Sequence, residues 1–231
     1  VEENGEYAIC CRIEGGMYPM VSWNGWKYRL NGNYIKPKKI VKTTVEPPNV
    51  EYIRKVYNNL FPKDDYICSM YLLDLMRQLK IKMIGLYLLR VKSDRFVYYF
   101  PMYDSLGNMV GLKKRNLEGK KWCQSKSRLG IYWPKGFNRT KPTIICEGES
   151  DTAAMLGYYS NVLGRPSAYS GGQYLKELLV KCPKVCIIAD NELIGLREAN
   201  RLQGVLGPKS YVVTPGGYKD AREWINSRTF E

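Results

Sequence analysis

Residues 144–151 read Ile-Ile-Cys-Glu-Gly-Glu-Ser-Asp, a short apolar run that stops at a cluster of carboxylates. Residues 185–195 show the same pattern as Val-Cys-Ile-Ile-Ala-Asp-Asn-Glu-Leu-Ile-Gly, and residues 219–223 add a third acidic group, Lys-Asp-Ala-Arg-Glu. An apolar run that ends at an acid is typical of a buried parallel strand, which brings the acid to the carboxyl edge of its sheet. Open α/β sheets bind their ligands at that edge, so the three acidic groups indicate one site.

The acidic groups predict metal-assisted phosphate chemistry, because converging carboxylates repel one another unless a cation neutralises them. Hard oxygen ligands of this kind suit Mg²⁺. Catalysis by histidine is excluded, since the 231 residues include none. The seven cysteines are odd in number and scattered, which argues against a disulfide framework and favours a reducing compartment, and the lack of a CxxC pair and of histidine argues against a zinc ribbon. No signal peptide or membrane-spanning run is visible, so we expect a cytoplasmic protein without membrane contact.

The positive charge is concentrated in the N-terminal part of the chain. The net charge is +14 overall; residues 1–135 contain 24 Lys and Arg against 12 Asp and Glu, whereas residues 136–231 contain 12 against 10. A basic part beside a metal-binding part suits a polyanion that is both held and processed, although a solvated basic surface explains the composition equally well. The chain begins at Val1 rather than Met, so we expect a fragment or a processed form.

Three segments are predicted along the chain. Residues 1–45 form a β-rich segment whose role the sequence leaves open, with Asn-Gly turns at 24–25 and 31–32. Aromatic and basic residues alternate in this segment, and we favour packing of a small β core over nucleic-acid stacking as the explanation. Residues 46–140 form a basic α+β subdomain, and residues 141–231 form the domain with the acidic groups.

The secondary structure is predicted from turn signals and apolar periodicity. Helices are expected at residues 49–60 and 65–80, followed by an antiparallel meander over 84–133. From residue 142 strands and helices alternate, which favours an α/β domain with a mostly parallel sheet flanked by helices. Strands are expected at residues 143–147, 167–170, 184–189 and 210–214, and helices at residues 150–161, 173–181, 194–206 and 220–227.

The ordered motifs E-G-E-x-D, D-N-E-x-x-G and K-D-x-x-E over residues 142–228 resemble a toprim domain. Toprim is the catalytic module of bacterial-type DNA primases, of type IA and type II topoisomerases and of some nucleases. Upstream, residues 100–104, 107–111 and 113–116 resemble the basic subdomain that precedes toprim in primases. The resemblance therefore favours a phage- or plasmid-type primase or primase-helicase core, a toprim-type sheet preceded by a smaller basic α+β subdomain.

The resemblance also implies roles for the acidic residues. Glu147 stands at the family's first glutamate, which is assigned to metal binding or to general acid–base catalysis. Asp190 and Glu192 stand at the family's D-x-D positions and are expected to hold Mg²⁺ or Mn²⁺. Asp151 and Asp220 are expected to bind a second metal ion or to orient the ligands of the first. Glu192 departs from the usual Asp, and its extra methylene gives the carboxylate a longer reach.

Two further expectations follow for the residues around the acids. Glu149 is expected to be peripheral to the chemistry. Cationic side chains are expected to hold a triphosphate or template through phosphates, without reading sequence, although an ordinary solvent-facing surface is an equal alternative for the sheet residues. These cations are Lys113, Lys114, Arg115, Lys121, Lys126, Arg128 and Lys219.

The resulting hypothesis is a DNA primase core that makes short RNA primers on single-stranded DNA from ribonucleoside triphosphates. A replicative helicase, in the same chain or as a separate protein, is an expected partner. Two alternatives remain. The first is another toprim activity, either a metal-dependent nuclease or a strand-passage enzyme. The second is a non-enzymatic module that binds single-stranded DNA.

Overall fold

The N-terminal part of the chain forms a small sheet of its own. The structure is a computed structural model that describes residues 7–10, 18–19, 26–29, 49–61, 69–94 and 96–228. The chain divides into two compact units, residues 1–46 and residues 47–231. The first contains β1 (Tyr7–Cys10), β2 (Tyr18–Pro19) and β3 (Trp26–Arg29), paired antiparallel in the order β1-β3-β2. These strands agree with the β-rich prediction, while both predicted Asn-Gly turns lie outside the described residues.

In the described part of the second unit, the first elements are the helices α1 (Val50–Asn58), α2 (Ser69–Leu79) and α3 (Met83–Leu88). Asn49 begins α1, because its Oδ1 accepts the backbone N–H of Tyr52 at 2.9 Å and satisfies one of the free donors of the first turn. Helix α3 corrects the prediction, which placed this stretch in the meander. Six residues are too few for a helical period to show in a sequence, and burial of Gly85 and Leu86 stabilises the helix instead.

An antiparallel sheet follows the helices. It consists of β4 (Lys92–Ser93), β5 (Val97–Tyr103), β6 (Met109–Asn116) and β7 (Lys121–Cys123), in the order β4-β5-β6-β7. Strands β5, β6 and β7 form the antiparallel meander that the sequence predicts. In the register of the sheet, Lys114 lies opposite Tyr99 and Trp122, and Arg115 lies opposite Lys121. Neighbouring residues of β6 therefore project from opposite faces of this sheet.

The C-terminal half contains a four-stranded parallel sheet. In chain order its elements are β8 (Thr143–Glu147), α4 (Glu149–Leu156), β9 (Val162–Arg165), α5 (Gly172–Leu178), β10 (Val185–Ile188), α6 (Leu193–Leu206), β11 (Ser210–Val213) and α7 (Ala221–Ser227). The strand order is β11-β10-β8-β9, and every pair is parallel. The predicted α/β fold, a parallel sheet flanked by helices behind a smaller α+β part, is confirmed.

Strand β9 lies earlier than predicted. Residues 162–165 pair with β8, from Val162 beside Ile144 to Arg165 beside Glu147. The predicted strand at 167–170 is instead a turn, in which the backbone N–H of Ser170 donates to the carbonyl of Ser167. The apolar run of β9 is only two residues long before its glycine, too short for the sequence pattern to reveal.

Both sheets of the second unit contribute to one hydrophobic core. Buried side chains from the first half, such as Leu72 and Phe100, belong to the same cluster as Cys146 and Met155 of the parallel-sheet half. The predicted boundary near residue 140 falls inside this compact unit and stays a prediction. None of the helices in the described ranges is long and apolar enough to cross a membrane.

Candidate active site

The acids of all three motifs lie at the carboxyl edge of the parallel sheet. Glu147 is the last residue of β8, and Asp190 follows the neighbouring strand β10. Asp151 lies in the first turn of α4, and Asp220 is the N-cap of α7, where its Oδ1 accepts the backbone N–H of Glu223 at 2.8 Å. Because β8 and β10 are adjacent and parallel, their ends bring residues 43 positions apart in the sequence to one edge.

Glu147 is held by the segment that follows β9. Its Oε1 accepts the backbone N–H of Ala168 at 2.9 Å, and its Oε2 lies 3.9 Å from Nη2 of the buried Arg165. Glu147 Oε2 is itself buried and has no hydrogen-bond partner. Burial raises the pKa of Glu147 above its usual value, and the charge of Arg165 only partly opposes this rise. The carboxylate therefore has one oxygen anchored by a hydrogen bond and one that accepts none.

Asp151 and Asp190 both have strongly raised pKa values. Burial, followed by repulsion from Asp220, raises the pKa of Asp151 to about 7. Burial, followed by repulsion from Glu147 and Asp220, raises the pKa of Asp190 to about 7. The four carboxyl groups are thus close enough to disfavour one another's charge, which is the electrostatic condition that a bound cation relieves.

Glu192 lies at the rim of this cluster. Its side chain is 63% exposed, and its Oε1 lies 3.9 Å from Nζ of Lys219, which is 64% exposed. Glu192 is also the N-cap of α6, although its side chain makes no capping hydrogen bond. Its charge contributes to the raised pKa of Asp190, after the larger effects of burial and the buried acids. The longer side chain at this position therefore reaches toward solvent and Lys219.

Two glycines of the motifs have structural reasons to be glycine. Gly148 has φ +81°, a left-handed conformation that side chains disfavour, at the turn from β8 into α4. A Cβ on Gly195 would lie 2.7 Å from the carbonyl oxygen of Asp190, so only glycine lets the first turn of α6 approach that backbone. Both glycines therefore help to hold the acidic loops in place.

The donor set fits a divalent cation. Within the ranges that the structure describes, no three acidic or cysteine side chains converge closely enough to hold a metal ion outright. The chemistry of the site nevertheless matches one: all the donors are carboxylate oxygens, Glu147 Oε2 is buried without a hydrogen-bond partner, and burial, followed by mutual repulsion, raises the pKa of Asp151 and Asp190. Carboxylate oxygens are the ligands that suit Mg²⁺ and Mn²⁺.

We expect the stability of the metal-free protein to fall as the pH rises from about 4 to about 7. Asp151 and Asp190 hold their protons more tightly in the folded state, where the pKa is about 7, than in the unfolded chain, where it is 3.8. Deprotonation across this interval therefore favours the unfolded state. Thermal denaturation with Mg²⁺ or EDTA measures the effect.

Added Mg²⁺ should raise the melting temperature at about pH 8, where the acids are charged, and much less at about pH 5. The variant Asp190→Asn should lose most of the gain at the higher pH. An equal effect of Mg²⁺ at both pH values would contradict binding by these carboxylates.

The predicted cations lie on two different faces of the antiparallel sheet. Lys113 and Arg115 project from one face of the sheet, and Lys121 of the neighbouring strand β7 projects from the same face. Lys114 projects from the other face, where its Nζ lies 5.6 Å from the centre of the Tyr99 ring. Arg128 is exposed in the chain after β7. The residues grouped by sequence therefore do not form one surface.

Glu149 is buried and ion-paired, and its peripheral position with respect to the chemistry stays a prediction. Its carboxylate is 1% exposed, and its Oε1 lies 2.8 Å from Nζ of Lys121 and 3.1 Å from Nη1 of Arg115. Burial alone would raise the pKa of Glu149, but Lys121 and Arg115 hold it below the usual value. Two of the predicted phosphate-binding cations thus form ion pairs with an acid of the first motif. These ion pairs join the antiparallel sheet to the start of α4.

Sequence reasoning missed Arg165 and Arg222. Arg165 is buried, donates from Nη1 to the carbonyl of Ala168 at 2.6 Å and faces Glu147. The sequence analysis predicted this strand at residues 167–170, so Arg165 lay outside every predicted element. Arg222 donates its backbone N–H to Asp151 Oδ1 at 3.0 Å, a main-chain contact to which the side-chain identity gives no clue.

Comparisons with known proteins agree with this architecture. The scan against family models finds no match, and neither does the search of curated proteins. Among solved structures, the chain is similar to the E. coli primase catalytic core, with 10% identity, a TM-score of 0.59 and coverage of 77% of this chain and 75% of that one. It is also similar to a DnaG primase catalytic domain bound to ssDNA, with 9% identity, a TM-score of 0.59 and coverage of 78% of both chains.

A third comparison is with the primase fragment of the bacteriophage T7 primase-helicase protein, where the chain covers 64% of that fragment and 62% of its own length. The identity there is 17% and the TM-score 0.47. The two TM-scores of 0.59 show that the chain has the fold of toprim-type primase catalytic cores. The resemblance noted in the motifs is therefore confirmed at the level of the fold.

Proposed function

We propose that this chain is a DNA primase core that synthesises short RNA primers on single-stranded DNA by metal-dependent nucleotidyl transfer. The main support is the acidic cluster of Glu147, Asp151, Asp190 and Asp220, which lies at the carboxyl edge of the parallel sheet in a primase-core fold. The similar DnaG domain was solved bound to ssDNA, which supports the same class of partner for this chain.

Glu147, Asp190, Asp151 and Asp220 are the residues that would hold Mg²⁺ or Mn²⁺, with Glu192 as a further ligand from the rim of the site. The bound ion would stabilise the negative charge that develops on the phosphate and make the attacking 3′ hydroxyl more acidic. Glu147 is suited to accept that proton, because burial raises its pKa and its Oε2 has no hydrogen-bond partner. Arg165 and the backbone of Ala168 orient this carboxylate.

Ribonucleoside triphosphates and template would be held through their phosphates by cations around the acids. Lys219 is exposed beside Glu192, and Lys113 is half-buried on the sheet face that meets Glu149. Arg115 and Lys121 are positioned by Glu149, so they would present their remaining donors from fixed places. A replicative helicase would deliver the template, in the same chain or as a separate protein, and the reaction would take place in the cytoplasm.

The direct test is incorporation of labelled ribonucleotides on single-stranded DNA with Mg²⁺ or Mn²⁺, with and without an annealed RNA primer. We expect template-dependent products that disappear in EDTA and in Asp190→Asn. Glu118→Gln, an amide change at an exposed turn acid, is the matched control and should retain activity. Extension of an annealed primer without de novo initiation would show that a template-recognition module is required. Cleavage of the template without any synthesis would contradict the proposal and favour a toprim nuclease.

A further inference from the structure

A cavity of about 510 Å³ lies between helix α6 and the segment that runs from the end of β9 to the start of α5. It is apolar where Leu129, Leu202 and Val205 line it, and its polar lining includes the buried residues Arg165 and Glu198. None of the four acids of the candidate active site lines this cavity. A cavity of this size, with apolar walls and a few buried polar groups, is typical of a site for a small molecule.

The guanidinium group of Arg165 has an unused hydrogen-bond donor. Arg165 is 2% exposed, and its Nε has no hydrogen-bond partner among the described residues. Its other nitrogens are engaged, because Nη1 donates to the carbonyl of Ala168 at 2.6 Å and Nη2 lies 3.9 Å from Glu147 Oε2. Buried donors are nearly always paired, and a charged donor without an acceptor is costly. An acceptor oxygen from a ligand in the cavity would satisfy Nε.

The charges around the cavity favour an anionic ligand. Among the described residues that line it, the charged ones are Arg165, Glu198 and Arg201, two cations and one anion. The carboxylate of Glu198 is already engaged, since its Oε1 accepts from Arg197 Nε at 3.2 Å and its Oε2 accepts from Arg201 Nη1 at 3.3 Å. The side chain of Arg201 is 73% exposed, which leaves further donors at the solvent side of the cavity. An oxyanion is therefore the acceptor that suits Arg165 best.

We propose that this cavity binds a small organic anion, whose charged oxygen accepts from Arg165 Nε while its apolar body packs against Leu202 and Val205. A carboxylate and a phosphate ester share this chemistry. The bound anion and Glu147 would compete for the charge of Arg165, because Arg165 Nη2 faces Glu147. Occupation of the cavity should therefore weaken the contact that orients Glu147 and lower primer synthesis. This regulatory consequence rests on the proposed function, whereas the binding itself does not.

Isothermal titration calorimetry in EDTA, with benzoate and phenyl phosphate as probes, tests the anion contact. The better of the two should bind about tenfold or more tightly than neutral benzamide, because hydrogen bonds to charged groups are the stronger ones. Tighter binding of phenyl phosphate would identify the ligand as an organic phosphate, and tighter binding of benzoate would identify it as a carboxylate. Arg165→Met should remove the advantage of the anions over benzamide. Equal affinity of the original chain for all three probes would overturn the inference.

Gly172→Phe tests the cavity itself and leaves Arg165 in place. Gly172 lines the cavity, and a Cβ added there would lie 3.7 Å from Leu202 Cδ1, an ordinary contact with another lining residue. The new ring should therefore fill the cavity and abolish measurable probe binding. Gly204→Phe is the matched control, because Gly204 is exposed on α6 and no described atom lies within 4 Å of an added Cβ. Unchanged probe affinity in Gly172→Phe, at an unchanged melting temperature, would contradict binding in this cavity.

Primer synthesis with and without the tighter-binding probe tests the link to Glu147. A saturating concentration should lower synthesis by the original chain and by Gly204→Phe about fivefold or more, and Gly172→Phe should not respond. Probe binding without any effect on synthesis would overturn this link. If the probes bind as expected but the original chain makes no primers in their absence, the binding site stands and the proposed function fails. If primers are made and the probes do not bind, only the inference fails.

Discussion

Glu149→Gln should destabilise the second compact unit by about 3 kcal/mol, which corresponds to a drop of about 6 to 12 °C in melting temperature. The substitution keeps the shape of the side chain but removes the charge that compensates Arg115 and Lys121. Arg115 is the more costly of the two to leave unpaired, because its side chain is 10% exposed, whereas that of Lys121 is 38% exposed and can turn toward water. Thermal denaturation at about pH 7 measures the loss.

The pH dependence gives a second measurement of the same contact. The pKa of Glu149 is lowered in the folded state, so its contribution is present above the unfolded value of 4.5 and is lost as the pH falls through the folded value. The difference between the original chain and Glu149→Gln should therefore shrink in acid. Glu118→Gln, an exposed control, should melt like the original chain. A loss below about 1 kcal/mol for Glu149→Gln would show that the buried ion pairs do not form.

Glu147→Gln should lower primer synthesis by about 100- to 10,000-fold and leave the melting temperature unchanged or higher. The activity falls because the amide can neither hold a metal ion as a carboxylate does nor accept the proton of the 3′ hydroxyl. The stability does not fall, because burial already raises the pKa of Glu147 and disfavours its charged form. Primer synthesis and the melting temperature are both measured at about pH 8, and the melting temperature is measured in EDTA.

Oligonucleotide binding by Glu147→Gln in EDTA should match that of the original chain, since lysines and arginines make the phosphate contacts and the substitution removes none of them. A large loss of stability in Glu147→Gln would mean that its pairing with Arg165 outweighs the cost of burial. Retained primer synthesis in Glu147→Gln would show that Glu147 takes no part in the reaction. The same substitution is thus expected to lower the melting temperature at Glu149 and not to lower it at Glu147, two residues away.

Much of the parallel-sheet half could be predicted from local sequence. Short apolar runs that end in acids marked β8 and β10, and the predicted helix at 194–206 differs from α6 by one residue at its start. The acids at 147 and 190 were expected at one edge because parallel strands share a direction. Strand β9 and helix α3 were misplaced, since a two-residue apolar run and a six-residue helix contain too little periodicity to recognise.

The sequence by itself determined the alternation of strands and helices in the C-terminal half, the parallel sheet that this alternation favours and the acids that meet at its carboxyl edge, because side-chain periodicity is a local property and a helical crossover makes the strands that it joins parallel. Only the tertiary structure decided which neighbours each charge has. It paired Glu149 with Arg115 and Lys121, placed Arg165 against Glu147, and divided the predicted cations between two faces of a sheet. Burial and electrostatic pairing depend on residues far apart in the chain, so no local pattern contains them.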